Sequence, residues 1–380
     1  MGCVQSAPPP TKKMKFGRSP TKHNFGKDVN LKKEDYIYSK KGKEVLLKSP
    51  RDLNGQQFIV EECEGTDMFL IDHMGMLTVD YCQDCRIVAG PVASSVFIRN
   101  CENCVVVIAC QQLRLRDCKN LTIFLHSTTG PIIESSSSIS LGCYNYSYFG
   151  LESHLESAEM SIWENEWYSV YDFTPGGGGA HNHSLLPSGD PSTLITAVIP
   201  ACSALVEDGL CATSSDDRVT PLLYGPLPAS EQSALFVMKP EHAQGFRSAL
   251  APLVQRPAGE EVSDEAADKD KLVVLRTTKR LTSPAQLSTL VGGEKRLKAF
   301  TKAAKLNEVY AGVTLVAVEV SFAKSVDQTK GRALVEQLQT EMRRITESEG
   351  GEDTAKFLSW TGREADEKAD MVFEHWRVQT

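Results

Sequence analysis

No apolar run in the 380 residues approaches the roughly 20 consecutive apolar positions that carry a helix across a bilayer. The N-terminus lacks an apolar stretch as well, which argues against a secretory signal. The eleven cysteines are therefore expected as thiols in a reducing compartment rather than as disulfides. Positive charge is not in excess: 41 Lys and Arg stand against 49 Asp and Glu, a net charge of -8, which argues against nucleic acid as a partner. A Gly-rich loop ending in Lys-Ser/Thr, the cradle for a nucleotide's phosphates, is missing too. What remains is the composition of a soluble globular protein, long enough for two domains.

The first residues read Met1-Gly2-Cys3-Val4-Gln5-Ser6. This is the pattern for N-myristoylation of Gly2 once Met1 is removed, with Cys3 beside it as an acceptor for S-palmitoylation. One acyl chain binds a bilayer marginally and two bind it stably. Lys12, Lys13, Lys15, Arg18, Lys22 and Lys27 follow before the first acid, Asp28, and each contributes about 1 kcal/mol near an anionic leaflet. Residues 1–33 are expected to be an acylated, basic tail on a membrane.

Cys82, Cys85, Cys101 and Cys104 are spaced C-x2-C-x15-C-x2-C, which fits a zinc ribbon. The residues around them point elsewhere. Val60-Glu61-Glu62-Cys63, Val79-Asp80-Tyr81-Cys82, Ile98-Arg99-Asn100-Cys101, Leu115-Arg116-Asp117-Cys118 and Ile133-Glu134-Ser135-Ser136 repeat one phrase at intervals of 19, 19, 17 and 18 residues. Four zinc ligands need no fifth copy ending in Ser. The period, with its β-branched runs such as Val105-Val106-Val107-Ile108, predicts the coils of a parallel β-helix. Cys63, Cys82, Cys101, Cys118 and Ser136 then form a buried column of small side chains, in which cysteine packs as a small hydrophobe.

Columns single out one arginine. In Gln112-Leu113-Arg114-Leu115-Arg116 the leucines face in, and the other three face out. Arg116 has Arg99 and Glu134 as column neighbours, so it can pair with Glu134. Arg114 has Phe97 and Ile132, an aromatic brace and no carboxylate in register. A guanidinium held rigid but unpaired suits an external anion, phosphate above all. Gln111 places an amide at the adjoining corner.

The segment Gln111-Gln112-Leu113-Arg114-Leu115-Arg116-Asp117-Cys118, together with Gly90-Pro91-Val92, Phe97-Ile98-Arg99-Asn100-Cys101, Pro131-Ile132-Ile133-Glu134-Ser135-Ser136 and Asp172-Phe173-Thr174-Pro175, resembles the tubulin-binding cofactor C domain. The resemblance implies a GTPase-activating protein for an ADP-ribosylation-factor-like small GTPase, chiefly the type-3 member. In the family's Gln-x-x-Arg motif, Arg114 stands as an arginine finger with Gln111 beside it. Gln112, Arg116, Glu134 and Phe173 are implied as partner contacts. The protein would need no cofactor of its own, because GTP and Mg2+ come with the partner. Control of lipidated-cargo release and ciliary protein trafficking follow as expectations. So does residence on the cytoplasmic face of the plasma membrane, with the ciliary base or ciliary membrane as further locations. Other functions stay open: a non-catalytic scaffold that binds the GTPase without stimulating it or binds actin, as does the actin-monomer-binding domain of cyclase-associated proteins, or a tubulin-folding cofactor that binds tubulin.

The implied fold is an all-β right-handed parallel β-helix over 34–190, a linker over 191–232, and an α/β ferredoxin-like, nucleoside-diphosphate-kinase-like domain over 233–380. Ala234–Met238, Leu272–Leu275, Val313–Val320 and Phe357–Leu358 read as its strands. Helices are expected after Pro240, over Leu297–Leu306 and over Ala333–Ile345, the last with Leu334, Leu338 and Met342 at helical spacing. The kinase chemistry needs His within Asn-x-x-His-Gly-Ser; His242 and His375 have no such surroundings, so this domain is expected to be non-catalytic. His181 and His183 lie in a glycine-rich loop, and no metal is assigned to them.

Overall fold

The computed structural model describes residues 31–144, 146–174, 181–186, 219, 220 and 223, the strands at 233–238, 273–281, 315–322 and 358–361, and helical residues 333, 335–338 and 340. Gly2, Cys3 and the basic tail lie outside the described residues, as do the expected helices after Pro240 and over 297–306.

The N-terminal part is a parallel β-helix. Its strands are β1 (Ile37–Ser39), β2 (Val45–Lys48), β3 (Gln57–Glu61), β4 (Asp67–Leu70), β5 (Met76–Asp80), β6 (Arg86–Ala89), β7 (Val92–Arg99), β8 (Val105–Arg116), β9 (Lys119–Ser127), β10 (Ile132–Glu134), β11 (Ser137–Cys143), β12 (Tyr171–Asp172) and β13 (His183–Leu185). One face stacks β1, β3, β5, β7, the second half of β8, β10 and β12. The other stacks β2, β4, β6, the first half of β8, β9, β11 and β13. All these pairings are parallel. Inward side chains form aliphatic columns such as Val60, Val79, Ile98, Leu115 and Ile133, all buried.

Six of the cysteines occupy the corner between the faces. Cys63, Cys82, Cys101 and Cys118 are buried in one column with Ser136. Neighbouring coils are linked through it: Cys82 N donates to Cys101 Sγ at 3.5 Å, and Cys118 N to Ser136 Oγ at 3.0 Å. Cys85 and Cys104 belong to a second column, and each thiol donates to a backbone carbonyl. The C-x2-C spacing comes from backbone shape. The residue before each column position is left-handed: Glu62, Tyr81, Asn100, Asp117 and Ser135 for the first column, Gly65, Asp84, Asn103 and Asn120 for the second. Asn, Asp and Gly tolerate that conformation best, and a small buried side chain fits inside the sharp bend. Hydrogen bonds from neighbouring thiols, and then burial, push Cys82, Cys104 and Cys118 up.

The two outer faces are treated differently. A second apolar cluster covers the outside of the β4–β6–β8 face: Phe69, Val88 and Val107 pack against Tyr144, Tyr148 and a helix, α1 (Leu151–Ser157), through Leu151 and Leu155. The opposite face, with β7, β8, β10 and β12, carries exposed side chains.

In the C-terminal third, β14 (Ser233–Met238), β15 (Val273–Leu281), β16 (Leu315–Phe322) and β17 (Leu358–Thr361) form an antiparallel sheet in the order β15-β16-β14-β17. All four expected strands are present, shifted by up to a few residues, and β15 runs well past Leu275. Leu235, Phe236 and Val318 are buried, as are Val335 and Leu338 on the helical stretch. Leu223, within the expected linker, is buried too, and its N–H donates to Cys143 Sγ at 3.3 Å.

Candidate functional site

Arg114 lies exposed in the second half of β8. Its column neighbours are Phe97 and Ile132, in the register the sequence predicts. The guanidinium carbon sits 6.0 Å from the centre of the Phe97 ring, within cation–π range. Arg114 Nε donates to Gln112 Oε1 at 2.9 Å, so its only side-chain hydrogen-bond partner among the described residues is neutral.

The other arginines of the face are engaged by carboxylates. Arg99 makes a bidentate contact with Asp80, at 2.7 and 2.5 Å; that hydrogen bonding raises its pKa against the opposing effect of burial. Arg116 departs from the expected pairing. It is in register with Glu134, but its Nε bonds Asp117 Oδ2 at 3.2 Å. The adjacent carboxylate needs no reach across a strand, whereas two opposed long side chains would lose rotamer freedom to meet. Glu134 stays exposed.

Gln111 sits where β8 bends from one face to the other. The pairing of β7 with β8 shifts between Val92 and Ser95, opposite this point. The Gln111 carbonyl accepts Thr129 N at 3.0 Å and Thr129 Oγ1 at 2.9 Å, which anchors the corner. Its half-buried amide makes no side-chain hydrogen bond among the described residues. The motif thus joins a residue of the bend to one of the flat face, and it is Gln112, not Gln111, that holds the arginine.

Phe173 is 67% exposed although it is a large apolar side chain. Its N–H donates to Ile133 O at 2.9 Å, which continues β12 alongside β10. A polar latch follows: Thr174 N and Asn182 Nδ2 both donate to Asp172, each at 3.0 Å, and Asn182 Nδ2 also donates to Thr174 O at 2.6 Å. Tyr171, which the sequence analysis did not single out, is 42% exposed and in register with Ile132. It lies two strand spacings from Arg114, about 10 Å. The alternation Tyr171-Asp172-Phe173 is the signal that could have found it. Gly130 makes room for this edge: a Cβ there would lie 2.0 Å from Ser169 O and 2.8 Å from the Tyr171 ring. Arg114, Gln112, Arg116, Glu134, Tyr171 and Phe173 therefore share one exposed face, with Gln111 at its border. A cation beside exposed aromatics, on rigid strands, suits an anionic group carried by a protein partner.

His181 and His183 stand with ring centres 5.6 Å apart. Burial, and then the neighbouring His181, lowers the pKa of His183.

Comparison with known proteins agrees with this architecture. Residues 55–173 match the family model "Tubulin binding cofactor C". Protein XRP2 of Danio rerio is 39% identical over 220 residues, 58% of this chain and 58% of its own length. Protein XRP2 of Homo sapiens is 36% identical over 220 residues, 58% of this chain and 62% of its own. Tubulin-specific chaperone C of Homo sapiens is 32% identical over 130 residues, 34% of this chain and 38% of its own. The matched region thus spans less than two thirds of the length of these relatives. Over residues 55–173 the chain is thus similar to the tubulin binding cofactor C family, and its wider similarity is to the XRP2 proteins.

Proposed function

We propose that this protein is a GTPase-activating protein for an ADP-ribosylation-factor-like small GTPase, the type-3 member first, and that Arg114 is the arginine it supplies in trans. The observation that carries this is the state of Arg114: exposed, braced over Phe97 and tied only to the neutral Gln112. Hydrolysis of GTP spreads negative charge over the γ-phosphate oxygens, so catalysis is positioning plus charge stabilisation. A guanidinium locked to a carboxylate would have to break that pair first. Exchanging the neutral Gln112 amide for phosphate oxygens gives up one exposed hydrogen bond of a charged donor, worth about 1.5–3 kcal/mol at most. Charge-assisted bonds to phosphate are roughly twice as strong as neutral ones. Gln111 is the second catalytic group, its amide free to orient the nucleotide machinery. Gln112, Arg116, Glu134, Tyr171 and Phe173 form the docking surface, with Phe173 as apolar anchor. GTP and Mg2+ come with the partner.

Acylation at Gly2 and Cys3, backed by the basic tail, would hold the activator on the cytoplasmic face of a membrane and confine the switching-off of the GTPase there. Release of lipidated cargo and ciliary trafficking belong to the same proposal. In the C-terminal part, the order β15-β16-β14-β17 is that of a split β-α-β, ferredoxin-like unit and supports a nucleoside-diphosphate-kinase-like domain without kinase activity. The names of the family and of the chaperone relative favour a second reading, tubulin binding.

The test is single-turnover GTP hydrolysis by a panel of these GTPases, with and without the full chain. Stimulation of the type-3 member supports the proposal. Tubulin binding with no stimulation of any GTPase favours the second reading.

A further inference from the structure

Away from the arginine face, Asp72, His73 and His154 converge where the turn after β4 meets α1. Asp72 Oδ1 lies 3.2 Å from His73 Nδ1 and 3.5 Å from His154 Nε2, and all three atoms fall within 4.8 Å of one another. The two imidazole centres are 5.7 Å apart, with planes tilted by 43°. No other group of His, Cys, Asp or Glu among the described residues converges in this way.

We infer that these three side chains form a binding site for a divalent transition-metal ion, zinc first, with Asp72 Oδ1, His73 Nδ1 and His154 Nε2 as ligands and water as the fourth. A tetrahedral zinc with bonds of 2.0–2.1 Å separates its ligand atoms by about 3.3–3.4 Å. The two oxygen–nitrogen separations, 3.2 and 3.5 Å, bracket that value. The donor set also selects the ion: two imidazoles and one carboxylate suit zinc or its neighbours, whereas calcium and magnesium require oxygen ligands.

The surroundings supply what such a site needs. Asp72 Oδ2 accepts Leu53 N at 2.8 Å and Asn54 N at 2.7 Å, which fixes the carboxylate and leaves Oδ1 pointing at the imidazoles. His73 N also donates to Oδ1 at 2.8 Å, leaving one lone pair of that oxygen for the ion. Tyr148 Oη lies 2.8 Å from His154 Nδ1, the outer-shell partner that orients a ligating histidine. Asp72 is 2% exposed, His154 12% and His73 20%, so the imidazole side remains open to water. The ion would tie α1 to the β-helix corner. Sequence spacing conceals the site, because His154 lies on an element far along the chain from Asp72-His73. It shares nothing with the cysteine columns.

The full chain, stripped with a chelator, is titrated with zinc against a chromophoric competitor and with cobalt(II) followed by absorption. One saturable zinc per chain is expected, with a cobalt spectrum of nitrogen and oxygen ligands only and a rise in unfolding temperature on zinc addition. His154→Phe should abolish the stoichiometric binding and the thermal shift. Tyr148→Phe should weaken affinity about 10–100-fold, and a His181→Ala/His183→Ala double variant should bind as wild type. Asp72→Asn is avoided, since Asp72 also holds the backbone at Leu53 and Asn54. Absence of saturable binding would overturn the inference and leave a purely hydrogen-bonded triad. Binding unchanged in His154→Phe, lost in the His181/His183 variant, or showing sulfur-to-cobalt charge transfer would overturn it equally.

Discussion

Replacing Arg114 with Ala separates chemistry from folding, and the structure sets both magnitudes. On the folding side, two contacts disappear. The cation–π contact with Phe97, at 6.0 Å and exposed, is worth about 0.5–1 kcal/mol. The hydrogen bond from the guanidinium to the neutral Gln112 amide is exposed, so its loss leaves Gln112 free to bond water and adds little. No cavity opens, because the side chain stands outside the coil. The total is about 1 kcal/mol, or roughly 2–4 °C in unfolding temperature for a domain of this size. On the chemical side, an arginine finger is worth about 10³–10⁵ in rate, which corresponds to about 4–7 kcal/mol of barrier. Arg114→Ala should therefore leave far-ultraviolet circular dichroism intact and abolish stimulated hydrolysis in a single-turnover assay with saturating activator. Arg114→Lys keeps the charge but not the planar fork, and should lose most of the stimulation. Stimulation by Arg114→Ala within about threefold of wild type would refute the assignment, since no finger on this scale could then be missing. Full activity of Arg114→Lys would show that a point charge suffices.

Gly130→Ala forces a Cβ to 2.0 Å from Ser169 O; the edge carrying Tyr171 and Phe173 must shift, which should cost about 1–3 kcal/mol in chemical denaturation and weaken GTPase affinity more than it lowers the maximal rate. His126 is fully buried, and burial depresses its pKa to about 4, below an unfolded value near 6.5. The unfolded chain therefore binds the extra proton, so stability is complete above about pH 6.5 and falls as pH drops toward about 4. Between pH 7 and 5 the loss should be about 2 kcal/mol, read as a shift in urea midpoint that His126→Gln flattens; an equal shift in that variant would remove His126 as the cause. Gly2→Ala should make the protein wholly soluble in cell fractionation, while Cys3→Ser should retain weak, exchangeable membrane binding; firm membrane residence of Gly2→Ala would place the anchor elsewhere.

Much of the fold was legible because a β-helix writes its period into the chain. Each coil adds the same corner, so Cys63, Cys82, Cys101, Cys118 and Ser136 recur at one register, and the columns through Arg114 and Arg116 can be counted from sequence. That same repeat accounts for the C-x2-C spacing as corner geometry, with the two cysteines of each pair in different columns: left-handed residues such as Asp84 and Asn103 set the bend. The isolation of Arg114 from carboxylates was equally local, since strand alternation and coil pitch decide which side chains are neighbours.

What the sequence determined by itself was therefore whatever depends on short-range backbone repetition: the coil, the buried corner and the arginine's column. Tertiary structure decided whatever depends on where long side chains and non-repeating segments come to rest. Arg116 turned to Asp117 rather than Glu134, because rotamers are settled by local reach and not by register. Tyr171 joined the site because the chain returns over β10 after a long excursion. The segment with α1 covered one face of the β-helix and left the other bare. That segment also brought His154 beside Asp72 and His73. No periodicity encodes such meetings, because they come from apolar packing between segments distant in the chain.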